Sequence, residues 1–181
     1  MREGKEAIFN TEALLEIDGT MIEELKRLAR KSPTFRYRLC LHHSVDDPFQ
    51  EMIIVHCLGN YSRPHYHPDV TVSMLVLEGA LTVFMFDSHG NVTGSTKLAP
   101  LGKGKPFCLR IDRGISYVPV CRSDIVVFYE ALSGPNRDGE ANSFPDWSPL
   151  ESDSAGIAAL RERLGIIPTT QPTENGEIPS S

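Results

Sequence analysis

The sequence predicts an all-β protein, a sandwich or barrel of short antiparallel strands with a helix on either side, and three observations point to it. Between Phe35 and about Leu132, aromatic and β-branched residues come in short runs broken by Gly, Pro, Asn and Asp. No helical periodicity interrupts those runs, so the strands must pack on one another. On both sides of this region the apolar spacing shifts from two residues to that of a helix.

The elements follow in chain order. Thr20 and Glu23 have capping-box spacing and Pro33 supplies a stop, which predicts a short helix between them. Met21, Ile22, Leu25, Leu28 and Ala29 share its apolar face, while Glu24, Lys26, Arg27 and Arg30 are expected to face solvent. FRYRLCLHH alternates, with Phe35, Tyr37, Leu39 and Leu41 on one face and Arg36, Arg38, Cys40 and His42 on the other. FQEMIIVHC, TVSMLVLE, ALTVFMFD, NVTGSTKLA, FCLRI, ISYVPV and DIVVFYEAL complete a set of about eight strands. Asp87 to Asn91 is a hairpin turn. Beyond Leu132 a Pro/Gly-rich loop carries Phe144 and Trp147, two aromatics expected to pin it to the strands. A helix starts at Ser154 and stops at Gly165. The predicted organisation is an N-terminal helical extension over 1–34, strands over 35–132, a loop and helix over 133–167, and a disordered tail over 168–181.

Composition narrows the function classes. A net charge of −6 with 18 Lys+Arg disfavours a phosphate-backbone partner, so no nucleic acid is expected. No apolar stretch approaches the roughly 20 residues that span a bilayer, so no membrane is expected either. The start MREGKEAIFN lacks the apolar core of a secretion signal, which points to the cytoplasm. The four cysteines form no C-x-x-C pair and read as free thiols.

The chemistry concentrates in RPHYHPDV. Residues i and i+2 of a strand face the same side, so His65 and His67 project together. Two imidazoles facing a barrel interior can share a divalent metal or act as acid and base. Arg63, two residues earlier, shares that face in a regular strand, and Asp69 is either a partner for His67 or a turn residue. Arg36, Arg38 and His42 either form an outer, solvated face or point inward, where guanidinium groups suit the carboxylate or phosphate of a small ligand. His56 alternates with Ile54 and can enter the barrel, whereas His89 sits in a hairpin turn. Glu78 and Glu130 are expected to be exposed.

Gly59, His65, His67 and Gly79 match the first motif of the cupin superfamily, G-x5-H-x-H-x3,4-E-x6-G, and the chain resembles that superfamily. The blocks RYRLCLH, DDPFQEM, YSRPHYHPD, VLEG, FDSHGNV, YEALSGP and FPDWSP resemble the WbuC-type cupin-fold metalloproteins, small bacterial proteins often associated with surface-polysaccharide (O-antigen) gene clusters. The resemblance covers roughly residues 10 to 150. It implies a cupin fold, a jelly-roll-like double-stranded β-helix barrel, with a metal or ligand site inside, a pocket role for Gln50, and a sugar-derived small molecule as ligand. Val72 stands where the motif carries its glutamate, and Tyr117 where the second motif carries its histidine.

Three readings of the interior follow. In the first, His65, His67 and the Tyr117 hydroxyl hold a zinc, nickel or iron ion, with water completing the shell. In the second, a histidine is general base and Tyr117 the proton donor, without metal, as in some sugar-nucleotide isomerases of this fold. In the third, the barrel has kept its fold and lost the site, and serves as a small-ligand or protein-binding module without catalysis. Arg36, Arg38, His42, Gln50 and Arg63 are the ligand-binding candidates. A homodimer that covers exposed strand edges is also expected.

Overall fold

The computed structural model describes residues 1–135 and 142–166; the tail expected over 168–181 lies outside them. Two sheets face each other. The larger has seven strands: β1 (Arg2–Gly4), β2 (Ala7–Phe9), β3 (Arg36–Cys40), β4 (Phe49–Cys57), β10 (Ile125–Ser133), β5 (Val72–Glu78) and β8 (Cys108–Ile111), in that spatial order. The smaller has β7 (Val92–Leu98), β6 (Leu81–Phe86) and β9 (Ser116–Cys121). All pairings are antiparallel except that of β2 with β3. The eight strands β3 to β10 form a jelly-roll-like barrel, and the hairpin β1–β2 extends the larger sheet.

Alternation along the strands builds three apolar layers. Val72, Met74 and Val76 of β5 meet Leu81 and Val83 of β6, Tyr117 of β9, and Val126 and Phe128 of β10 between the sheets. The opposite face of the larger sheet, with Leu39, Ile53, Val55 and Val127, packs under helix α1 (Gly19–Lys31) through Leu25 and Ala29. The outer face of the smaller sheet, Phe84, Phe86, Val118 and Val120, receives helix α2 (Ser154–Arg163) through Leu160, together with Leu164 and Trp147. Gly79 makes the tight β5–β6 turn at φ +78°, where a Cβ would lie 2.2 Å from the Ile125 carbonyl oxygen.

Three local expectations are corrected. The α1 N-cap is Asp18, whose Oδ1 accepts from the Met21 N–H at 3.0 Å, rather than Thr20. Its carboxylate reaches an otherwise unpaired amide and meets the positive end of the helix dipole. Lys26 is not on a solvated face: its side chain is buried, and its ammonium pairs with Glu23 and Glu78. The stem covers apolar surface while the charge finds one carboxylate on its own helix and one at the end of β5. The 65–67 segment forms isolated bridges, His65 to Tyr117 and Tyr66 to Ser143, and the regular strand begins only at Val72.

Leu39 is fully buried between β3 and α1. Truncation in Leu39→Ala is expected to cost about 3 kcal/mol, a usual loss for a buried leucine, read from the urea midpoint at constant slope.

Candidate functional site

A cavity of about 480 Å³ lies against the inner face of β3, β4 and β10, walled on its other side by the 62–67 segment and Phe144. Residues directly opposite in neighbouring antiparallel strands share a face, which explains its lining. Arg36 lies opposite His56 and that residue opposite Val126; Arg38, Ile54 and Phe128 form the next row, and Cys40, Met52 and Glu130 the row after.

Among the candidates from sequence, Arg36, Arg38, His42, Gln50, Arg63, His65 and His67 all line this cavity. Arg36 and Arg38 keep exposed side chains at its mouth, and the Arg36 Nε lies 3.3 Å from Glu6 Oε2. Arg63 donates from Nη2 to the Ser148 carbonyl at 3.2 Å and stacks over Phe144 at 4.4 Å, so it joins the C-terminal loop to the cavity wall. The amide of Gln50 donates to the carbonyls of Asp47 and Ser44, at 2.9 and 3.1 Å, and fixes that turn. His42 is buried with Nδ1 against the Glu51 backbone. Asp69 is exposed in the turn after Pro68.

Reciprocal backbone bonds between His65 and Tyr117, 3.1 and 2.8 Å, set the histidines in place without a regular strand. The His65 and His67 rings stand edge to face, 5.3 Å between centroids. His65 Nδ1 donates to the Arg63 carbonyl at 2.9 Å, which fixes its tautomer and turns the Nε2 lone pair away from that bond. Burial lowers its pKa to about 4, and His67 adds repulsion of like charge while the Arg63 carbonyl opposes the shift. Tyr117 is the exception among the candidates: it sits in the core beside the cavity, its hydroxyl 3.0 Å from His67 Nε2. Burial, helped by Glu130, raises its pKa well above the usual value, so it stays a phenol hydrogen-bonded to that nitrogen.

Two further residues belong to the cavity. His56 is buried edge-on against Phe128 at 5.2 Å, and burial followed by Arg36 lowers its pKa to about 3. Glu130, expected at the surface, faces inward between Met52 and Met74, and burial raises its pKa to about 7 against the pull of Arg38. Its residual exposure is the cavity wall. The signal was present in the sequence: Glu130 falls in phase with Phe128 and Leu132, so a strand that buries those two buries the carboxyl as well.

Among the described residues, no group of three or more His, Cys, Asp and Glu is gathered as a metal centre needs. His65 and His67 offer two imidazoles, and the third expected donor, Tyr117, is held as a neutral phenol. Val72 is buried in the core rather than standing in for a carboxylate. Zinc, nickel and iron sites ordinarily take three or more protein donors, so this set does not fit a resident ion.

Fold and cavity together define a jelly-roll-like barrel with a cavity between its sheets. A family model described as a domain of unknown function, DUF6016, matches residues 17–98, less than half of the chain. Among curated proteins, none matches. Solved structures similar to the chain include oxalate oxidase in complex with the substrate analogue glycolate, at 16% identity and TM-score 0.48, over 75% of this chain and 68% of that one. KdgF from Halomonas sp. is similar at 18% identity and TM-score 0.45, over 59% and 85%. The cupin domain of Schizosaccharomyces pombe Cnp3 is similar at 13% and 0.44, over 54% and 64%. The chain spans only 22% of Brassica napus procruciferin and 52% of Peruvianin-I from Thevetia peruviana, with which it also aligns. Likeness at this level says nothing about activity. No helix among the described residues is long and apolar enough to cross a membrane.

The pKa shifts give two expected outcomes. His56 and His65 are depressed in the folded state, so the unfolded chain binds their protons first and stability is lost as pH falls below about 6.5. Ring ¹⁵N shifts are expected to show both imidazoles neutral at about pH 5. Glu130 is raised, so the folded state holds its proton longer, and stability declines as pH rises from the usual glutamate range through about 7. Glu130→Gln is expected to remove that decline and to exceed the wild type by about 2 kcal/mol at alkaline pH in urea unfolding, allowing for water in the cavity.

Proposed function

We propose that this cupin-type barrel binds a small anionic molecule in the cavity and that its neutral His65 can move a proton on it. The observation that supports this reading is the lining of one cavity by Arg36 and Arg38 of β3 on one side and by Arg63, His65 and His67 of the facing 62–67 segment on the other. Guanidinium groups recognise carboxylate and phosphate through paired donors, and their charges at the mouth attract an anion. A neutral His65 with its Nδ1 proton committed to the Arg63 carbonyl has the form of a general base at Nε2. Tyr117, hydrogen-bonded to His67 Nε2, orients that ring and holds a proton beside it. The sugar-derived ligand and polysaccharide setting implied by the WbuC-type resemblance suit this chemistry, since uronic acids and sugar phosphates carry the required anion. No step passes through zinc, nickel or iron, because the donor set falls short. A homodimer along the open sheet edges forms part of the reading, and sedimentation velocity tests it.

Calorimetric titration of the full chain with D-glucuronate and glucose 6-phosphate is expected to show binding of one or both, weakened about tenfold in Arg38→Ala by loss of a charge-assisted pair. Absence of binding, or affinity unchanged in Arg38→Ala, would overturn the anion reading. Metal content by plasma mass spectrometry, on untagged protein purified without chelator, is expected to be far below stoichiometric. Near-stoichiometric metal that disappears in His65→Ala/His67→Ala would replace this reading with a metal centre.

A further inference from the structure

The inner wall of the cavity carries groups that anion binding alone does not use. Ile54 and Phe128 form an apolar floor, with His56 at one end and Glu130 at the other. Those two polar residues are four positions apart along the sheet, about 13 Å at the backbone, and both reach inward. His56 is more than nine-tenths buried, yet its Nδ1 has no hydrogen-bond partner. Among the described residues no hydrogen bond reaches the Glu130 carboxyl, although Met52 and Met74 flank it in the neighbouring strands. Buried polar groups are nearly always satisfied, so the unpartnered His56 Nδ1 marks a place where a bound molecule completes the bonding, and the half-buried Glu130 carboxyl on the cavity wall is open to the same molecule. Arg36 stands directly across β3 and β4 from His56, and Arg38 from Ile54, so the cationic mouth overlooks the same floor.

We infer that the cavity is built for a polyhydroxylated ring acid: the ring lies with its C–H face on Ile54 and Phe128, its carboxylate or phosphate reaches Arg36, Arg38 and Arg63, and its hydroxyl groups pair with Glu130 and His56. The inference rests on the anion-binding reading and adds the body of the ligand to it. A ring with hydroxyl groups around its rim and apolar faces satisfies the floor and its two ends at once. An alkyl acid leaves His56 and Glu130 unpaired. A neutral sugar leaves the guanidinium groups without a partner.

The test compares D-glucuronate with cyclohexanecarboxylate, a six-membered ring acid without hydroxyl groups, by calorimetric titration of the full chain. Wild type is expected to prefer D-glucuronate by at least about tenfold, the worth of one to two hydrogen bonds. In Glu130→Met, which matches the flanking methionines, the preference is expected to collapse while cyclohexanecarboxylate still binds. Where Glu130→Met does not give folded protein by circular dichroism, Glu130→Gln serves, with a fall in preference of more than about threefold expected from the altered donor pattern. Equal binding of the two acids by wild type, or a preference unchanged in the variant, overturns the inference and leaves the anion reading standing. Failure of both acids and of glucose 6-phosphate to bind overturns the two together.

Discussion

The seven-stranded sheet is covered on both faces by different neighbours, and the rest of the molecule follows from that constraint. Alternate residues of β3, β4 and β10 face α1 on one side and the barrel interior on the other. The α1 side is a dry apolar layer in which Leu39, Val55 and Val127 meet Leu25 and Ala29. The interior side cannot be filled by those strands alone, because Arg36, Arg38, Gln50, His56 and Glu130 occupy its inward positions. Packed side chains on one face and a cavity on the other are thus two results of one period of two.

Hydration changes across that cavity, and the charges follow it. β3 lies toward the sheet edge, so Arg36 and Arg38 extend to water and keep their charge at little cost. β4 and β10 lie at the centre, where His56 and Glu130 are driven toward their neutral forms. His56 is therefore a neutral hydrogen-bonding group at neutral pH and Glu130 exchanges its proton near it, while the fixed positive charge stays at the mouth. Arg63 links this arrangement to the C-terminal loop, since the guanidinium that stacks on Phe144 also holds the Ser148 carbonyl.

The site histidines show how little regular structure the arrangement requires. His65 and His67 do not stand on a β-strand; a pair of backbone bonds to Tyr117 holds them at the cavity wall instead. The Tyr117 phenol, buried and protonated, then gives the His67 ring a fixed hydrogen-bond partner. The same residue thus sets the backbone of one imidazole and the ring of the other.

The sequence by itself determined the strand region, the two flanking helices, the turn at Asp87 to Asn91 and the pairing of Arg36, Arg38 and His42 on one face, because these depend on local periodicity and turn chemistry. It also determined that His65 and His67 project together. Which face of β3 meets water, helix or cavity depends on what packs against it from elsewhere in the chain, and only the tertiary structure decided that. The same holds for Lys26, drawn from an outwardly polar helix face into a pair with Glu78, and for Glu130, whose environment comes from β4 and β5. Period reveals which residues share a face; burial, and with it pKa and chemical role, is a property of the neighbours that close over that face.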